Sequence, residues 1–328
     1  MTVVEAVEAV VAVVTHAAPN KVIPYVIETG AIAAPVFFLF VYCYLCVARP
    51  SRLIIMRKTV LFAALFLGTL LIAGCSDSQE RPSSSQAYPK AKGVTRIVHY
   101  NVGVFSKEID NSIPMVAAMM KELGADALSL NELDSCNTRH TNYQLADMAK
   151  EMGGWNYFYS RAMAYREGAY GVGIAVPNEI LDSFTIPLAK GDGSEPRACS
   201  VVETKYYVIA STHLDHKAES SVIDQARTIN EVLAKKYSKS KKPVFLCGDM
   251  NSRPESATLK ELKKEWDVLS VEKFTIPPKE PRACIDFILA LRNGAKYKLV
   301  GSDVPTVFKD GDVTVASDHL PVYVDVKL

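Results

Sequence analysis

This 328-residue chain has almost no excess of either charge: 37 Lys and Arg stand against 36 Asp and Glu, for a net charge of +1. Its first 74 residues hold only eight charged side chains, Lys21, Arg49, Arg52, Arg57 and Lys58 against Glu5, Glu8 and Glu28, which sum to +2 and leave the rest at −1. A body so near neutrality argues against a protein whose affinity comes from covering phosphate backbones with Lys and Arg. It does not exclude one that handles a single phosphate at a time. No internal repeat is visible, and no stripe of interleaved aromatic and basic residues. After residue 93 charged and aromatic residues are ordinary in number, which excludes disordered, collagen-like and multi-span membrane readings.

The charge-poor start has its own order. Met56-Arg57-Lys58 precedes Thr59–Ala73, an apolar run without charge, and then Gly74-Cys75-Ser76-Asp77-Ser78. A short positive segment, an apolar stretch too short to span comfortably, and small residues form a signal-peptide layout, expected over 56–74. Leu71-Ile72-Ala73-Gly74-Cys75 resembles the bacterial lipobox, in which the cysteine is lipidated and becomes the new N-terminus. More than one acyl chain on Cys75 would give a stable anchor; the alternative is a plain transmembrane anchor with an incidental cysteine. Residues 75–93, rich in Ser, Gln, Pro and charge, read as a flexible tether. The expected location is therefore a bacterial cell envelope, facing periplasm or exterior.

Residues 1–55 form an upstream apolar extension. Gly30–Ala48 is long enough for a transmembrane helix, yet the export signal is complete without it, so Met56 is read as the true start. Cys43 and Cys46 make a CxxC with no polar neighbours to support a thiolate. Of seven cysteines, Cys136, Cys199, Cys247 and Cys284 remain in the body. Cys247 lies in a core-strand pattern, so buried thiols are expected rather than bridges.

The body, 94–328, alternates short apolar strands with helical segments. Strands are predicted over Arg96–Asn101, Ala127–Asn131, Gly171–Val176, Tyr206–His213, Pro243–Cys247, Cys284–Ala290 and Pro321–Lys327, each rich in Val, Ile, Tyr or Phe and bounded by turn residues. Helices are predicted over Ser112–Leu123, Tyr143–Met152 and Ser221–Tyr237. In the first, Ile113, Val116, Met120 and Leu123 repeat at helical spacing before Gly124. Strands with few, unevenly placed helices imply a layered α/β fold rather than a regular barrel.

Polar residues gather at the strand ends. Asn101, Glu132 and His213 each end an apolar run, Asp249 and Asn251 follow Val244–Gly248, Asp286 lies within Cys284–Ile288, and Ser317-Asp318-His319 precedes the last strand. One strand-end Asp is most often a turn or cap; six such strands would deliver their side chains to one rim. Carboxylates, amides and two histidines without thiolates suit a hard, oxygen-seeking cation, so Mg²⁺ or a similar ion (Mn²⁺ or Ca²⁺) acting on phosphate is expected rather than structural zinc.

Asn131-Glu132-Leu133, Ser211-Thr212-His213-Leu214, Gly248-Asp249-Met250-Asn251 and Ser317-Asp318-His319-Leu320-Pro321, in this order, resemble the endonuclease/exonuclease/phosphatase superfamily. The resemblance covers 95–328. Thr138-Arg139 and Tyr170-Gly171-Val172-Gly173 resemble pieces of its bacterial lipoprotein branch. It implies a deoxyribonuclease-I-like four-layer α/β sandwich, two packed mixed β-sheets flanked by helices, and a catalytic domain that acts as a monomer. It also implies roles. Glu132 would be the principal metal carboxylate, with Asn101 and Asp318 beside it. Asp249 would align or deprotonate the attacking water, held by Asn251. His319, oriented by Asp286, and His213 would donate to phosphoryl oxygens as charge develops. Tyr170 would donate a hydroxyl to phosphate or be a buried strand tyrosine. Two departures stand out: Gly103 occupies a position that is acidic in some nuclease members, which thins metal coordination, and Asn131 replaces the usual Gln.

Arg197, in a Gly/Pro loop, either steers an anionic substrate or pairs locally, and Arg139 is divided between substrate contact and surface. His99 reads as packing, His140 and His216 as solvent-facing, and Asp134 and Asp215 as loop solvation. The Lys235–Lys242 basic run reads as a solvated helix end. The expected activity is metal-dependent hydrolysis of phosphate esters, as phosphodiesterase or phosphatase, on a phosphorylated small molecule or phospholipid head group. The alternatives are a nuclease of the envelope acting on DNA or RNA, and a surface lipoprotein that has lost the reaction.

Overall fold

The computed structural model describes residues 88–328. The upstream extension, the signal peptide expected over 56–74, Cys75 and the tether up to residue 87 lie outside the described residues. The last residues of the segment expected as a tether are held against the body. The Tyr88 ring meets Tyr323 edge-on, and its hydroxyl accepts from the amides of Thr306 and Val307.

The strands are β1 (Thr95–Asn101), β2 (Ala127–Ser135), β3 (Asn156–Tyr165), β4 (Gly168–Val176), β5 (Asp182–Leu188), β6 (Arg197–Glu203), β7 (Val208–His213), β8 (Val244–Asp249), β9 (Trp266–Val268), β10 (Asp286–Leu291), β11 (Lys298–Asp303) and β12 (Val322–Lys327). The helices are α1 (Ile113–Leu123), α2 (Gln144–Glu151), α3 (Glu219–Tyr237), α4 (Ala257–Leu262) and the short α5 (Val313–Ala316). The strands form two six-stranded mixed sheets, in the orders β11-β12-β1-β2-β4-β3 and β5-β6-β7-β8-β10-β9.

Each sheet is built around one parallel pair, β1–β2 or β7–β8, joined through α1 or α3 respectively. The central strands read as continuous apolar runs because both faces are covered. In β8, Phe245 and Cys247 belong to the core between the sheets, whereas Val244 and Leu246 pack toward α3 and α4 with Ile229, Leu233, Leu259 and Leu262. On the other side Val116, Met120, Leu145 and Met148 bring α1 and α2 onto the first sheet. The result is the four-layer α/β sandwich.

Helix α1 starts with Pro114 in its first turn, where a missing amide costs nothing, and stops at Gly124, whose φ of 69° closes the last turn. The strand expected from Tyr206 begins at Val208, because the Thr204 hydroxyl accepts from the amides of Tyr206 and Tyr207 and holds a turn there. Among the described residues Cys136, Cys199, Cys247 and Cys284 are all free thiols, and no helix is long and apolar enough to cross a membrane.

Candidate active site

Parallel pairing puts the C-terminal ends of β1, β2, β7 and β8 at one rim. Asn101 pairs with Asn131, and His213 pairs with Asp249. Asp286 reaches the same place by another route. It is the first residue of β10, not an interior one as the sequence suggested, and the antiparallel pairing of β10 with β8 sets it opposite Asp249. Gly248, just before Asp249, is required by this closeness: a Cβ there would lie 2.1 Å from the Thr212 carbonyl oxygen of β7.

Two site residues sit on unusual backbone. Glu132 has φ 56° and falls at the register shift between Leu130 and Leu133, so a bulge in β2 re-aims its side chain. Asn251 has φ 47°. Left-handed conformations at non-glycine residues are costly and cluster at functional sites. Asn251 gains two fixing contacts: its amide donates to Asp249 Oδ1 (2.8 Å) and its side-chain amide to the Leu214 carbonyl (2.9 Å).

Asp249 is the hub. Asn101 Nδ2 donates to its Oδ2 at 3.1 Å, and the Nε2 atoms of His213 and His319 lie 3.5 and 3.6 Å from that oxygen. The Asp249 amide donates to Asn131 Oδ1 (3.0 Å), while Asn131 Nδ2 donates to Ser211 Oγ (3.2 Å). The replaced amide therefore stitches the two sheets beneath the site. Behind the rim, His319 Nδ1 lies 2.9 Å from Asp286 Oδ2, which also accepts from the Thr275 hydroxyl (2.5 Å). Its other oxygen lies 3.1 Å from His99 Nε2. His99 is thus not simple packing. It lies two residues before Asn101 in β1, and the period of a strand puts the two on one face, a signal the sequence does carry.

Electrostatics divide the buried groups. Burial works against the His319 cation, but the charges of Asp286 and Asp249 outweigh it and raise its pKa from 6.5 to about 10. Burial also opposes the Asp286 anion, yet His319 and the hydrogen bonds from His319 and His99 carry its pKa below the usual carboxylate range. Asp249 moves upward, first through burial and then through repulsion by Asp286, with His319 opposing. His213 is driven well below its ordinary value by burial, with Arg197 and His319 adding repulsion; its Nδ1 is buried without a hydrogen-bond partner.

Glu132 and Asp318 share a cation that the sequence reading missed. Lys107 Nζ lies 3.5 Å from Glu132 Oε2 and 3.2 Å from Asp318 Oδ2, while Asn101 Nδ2 donates to Glu132 Oε1 at 3.3 Å. The ammonium is a stand-in ion: two carboxylates, with no sulfur beside them, converge where positive charge is held. That donor set fits a hard divalent cation. Asp249, Asp286 and His319 also offer atoms within 4.8 Å of one another. There, however, both His319 nitrogens already face carboxylates, and a protonated imidazole has no lone pair for a metal, so this cluster is an ion-paired group with a hydrogen bond between His319 and Asp286.

A cleft of about 420 Å³ opens beside Glu132, walled by Val104, Ser106, Lys107, Arg139, Met163, Tyr165, Tyr170 and Glu195. Tyr170 lies in this wall. Burial, together with Glu132, raises its pKa well above 10, which keeps the hydroxyl protonated as a donor. Arg139 is less free than the sequence implied. Its Nε and Nη2 donate to Asp134 at 2.7 and 2.8 Å, and its guanidinium lies 4.7 Å from the Tyr165 ring centre. Asp134 is fully buried in β2, and His140 Nδ1 meets it at 2.6 Å, so neither residue is the solvated group expected. Arg197 is buried at the start of β6, beside Glu195 (3.0 Å) and His216 Nδ1 (3.4 Å), with Nε unpartnered. Asp215, expected as loop solvation, is buried and accepts from Ser194 and the amides of Lys217 and Ala218.

No curated protein matches this sequence. Solved structures do. An endonuclease/exonuclease/phosphatase protein of Bacteroides vulgatus is 18% identical, with 72% of this chain and 100% of that one covered at a TM-score of 0.59. The mannosyl-6-phosphatase of Bacteroides thetaiotaomicron is 18% identical over 71% of this chain and 99% of its own, at 0.58. The catalytic domain of human Nocturnin with bound sulfate is 17% identical over 71% and 93%, at 0.55. At these identities the likeness is one of fold. The family itself is set by sequence, since its profile matches residues 98–319, from within β1 to His319. The chain belongs to the endonuclease/exonuclease/phosphatase family, whose members act on phosphate esters.

Proposed function

We propose that the protein is a metal-dependent hydrolase of small phosphate esters, held at the bacterial cell envelope by a lipid on Cys75. The observation that carries the reading is the convergence of Asn101, His213, Asn251, Asp286 and His319 on Asp249 beside the Glu132–Asp318 carboxylate pair. Magnesium held by Glu132, Asp318 and Asn101 would neutralise charge on the phosphoryl oxygens. Asp249, whose pKa is raised by burial and by Asp286, takes a proton from the attacking water and orients it through the hydrogen bonds from Asn101 and the Asn251 amide. His319, kept cationic by Asp286, donates toward the oxygens as negative charge develops, and His213 lines the same space. Tyr170 adds a neutral hydroxyl, while Arg197 supplies positive charge nearby. Arg139, tied to Asp134 and stacked on Tyr165, shapes the cleft wall that receives the remainder of the substrate.

A cleft of about 420 Å³ is sized for a small molecule or a head group, and the net charge of +1 argues against a nucleic-acid backbone as the main partner. The test is release of product from p-nitrophenyl phosphate, bis-p-nitrophenyl phosphate, plasmid DNA and a set of sugar and inositol phosphates, with Mg²⁺ or with EDTA. Turnover that needs the metal is expected, with the preferred ester class identifying monoesterase or diesterase action. Turnover undiminished by EDTA, or none from a folded protein on any ester, would sink the reading. The envelope assignment rests on the lipobox-like stretch ending at Cys75. Cys75→Ser is expected to shift the protein from the membrane to the soluble fraction and to abolish incorporation of labelled palmitate.

A further inference from the structure

Lys107 and Gly103 belong together. Residues Gly103, Val104 and Phe105 all have φ between 51° and 53°, a left-handed turn that follows directly on β1 and Val102. The turn carries the chain back so that Lys107 reaches across it to Glu132 and Asp318. The stem passes over Gly103: a Cβ at that residue would lie 2.4 Å from Lys107 Cγ, 3.0 Å from Lys107 Cε and 3.0 Å from Asp318 Oδ1. No side chain fits at 103 while Lys107 lies where it does, and a side chain there would also be strained by its φ of +53°. A third carboxylate at 103 and an ammonium from 107 are therefore alternatives, and this chain has the ammonium.

We propose that Lys107 is a resident cation of the metal site: its ammonium occupies the Glu132–Asp318 carboxylate pair, a divalent ion must displace it, and Gly103 exists to admit its stem. The inference rests on the assignment of Glu132 and Asp318 as metal carboxylates. An ammonium at 3.2 and 3.5 Å from these oxygens and a divalent ion bound to the same oxygens would repel strongly at such short range. The lysine stem is long, flexible and about one third exposed. Lys107 already lines the cleft wall with Ser106 and Tyr170, so a displaced ammonium would find the phosphate of a substrate as its next partner there. Lys107 thus lowers the protein's appetite for free metal and contributes positive charge to the cleft when metal and substrate are both present.

The test is Mn²⁺ binding followed by the loss of the free-ion electron paramagnetic resonance signal, without substrate, for the full chain and for Lys107→Met and Lys107→Arg. Lys107→Met removes the competing charge and keeps most of the stem, so Mn²⁺ is expected to bind at least tenfold more tightly than to the parent. Lys107→Arg keeps the charge and is expected to stay within about threefold of the parent. Thermal melting in EDTA supplies a second reading: Lys107→Met is expected to melt lower than the parent without metal, because Glu132 and Asp318 then face each other uncompensated, and to recover with Mn²⁺. Equal or weaker Mn²⁺ binding by Lys107→Met, with the parent binding normally, overturns the proposal and leaves the metal assignment standing. If neither protein binds Mn²⁺, the metal assignment fails and the proposal fails with it.

Discussion

Asp286 stands directly across from Asp249 in the antiparallel pairing of β10 with β8, and one imidazole, that of His319, lies 2.9 Å from the first and 3.6 Å from the second. Two buried carboxylates this close cannot both hold full charge without a cation between them. The neighbours decide how the burden is split. Asp286 has His319, His99 and the Thr275 hydroxyl around it, so its anion is favoured. Asp249 has an amide, a backbone N–H and two more distant imidazoles, and its carboxyl is the one pushed upward. Identical side chains thereby acquire different tasks, one as a fixed counter-charge and one as a group able to take a proton.

Asp249→Asn should therefore remove turnover without removing the fold. The shape is conserved and one of two repelling carboxylates is neutralised, so the thermal transition is expected to stay within about 5 °C of the parent. Turnover of a phosphate ester under saturating Mg²⁺ should fall by about 10²–10⁴-fold, the range for losing a general base. A variant that keeps more than about a tenth of the parent rate would show that the base is elsewhere.

Asp286→Asn tests the counter-charge. The amide can still accept from Thr275, but it supplies no charge to hold His319 protonated. The rate is expected to fall by about 10²-fold or more, with KM changed far less than kcat, because the lost interaction grows as charge develops on the phosphoryl oxygens. Imidazole resonances followed by NMR should show His319 titrating at lower pH in the variant. A rise in KM at constant kcat would instead mark Asp286 as a substrate-binding support.

How much of this was legible in the sequence depends on where a strand lies. The seven strands and three helices predicted from pattern all occur, with ends moved by a few residues. Five strands were not foreseen, and four of them, β3, β5, β9 and β11, are the four edges of the two sheets. An edge strand is half-solvated and need not repeat apolar residues strictly; β11 has no fully buried residue, and β5 carries Pro187. The fifth, β6, is buried but begins at Arg197 next to Pro196, which read as loop. At the site, residues on the rim were visible as polar ends of apolar runs, whereas Lys107 was not. Nothing in the spacing from Asn101 to Lys107 reveals a left-handed turn, and the only local clue is Gly103, the departure that makes room for it.

The sequence leaves Arg139 between substrate contact and surface, and its geometry supports a cleft-wall role with a measurable signature. Its fork is engaged at both ends by Asp134, a carboxylate with no exposed surface. Arg139→Ala leaves that carboxylate without its cationic fork, with His140 and Asn137 remaining beside it, and is expected to cost about 1–3 kcal/mol in urea unfolding. Arg139→Lys should lose most of the same amount, since an ammonium cannot reproduce two parallel bonds and a stacked face on Tyr165. A lysine variant as stable as the parent would mean that charge alone, rather than the fork, holds the wall.

Asp215 offers a test in pH rather than in rate. It accepts from the Ser194 hydroxyl and amide and from the amides of Lys217 and Ala218, and so ties the loop before Arg197 to the start of α3. Gln225, within α3, completes the tie by donating to Ala189 and accepting from the Asp215 amide. Burial opposes the Asp215 anion, but the Ser194 hydroxyl and these backbone donors prevail and hold its pKa below the usual carboxylate range. The folded value is depressed, so the stabilisation is fully present above the unfolded pKa of about 3.9 and is lost as pH falls toward the folded value. Asp215→Asn is expected to be less stable than the parent by about 1–3 kcal/mol at pH 7, with the gap unchanged at pH 5 and narrowing below pH 4, where the unfolded parent takes up a proton on this carboxylate and the folded parent does not. Urea unfolding of both proteins at pH 7, 5 and 3 reads this directly. A gap as wide at pH 3 as at pH 7 would mean that the side chain's shape, and not its charge, holds the loop against α3.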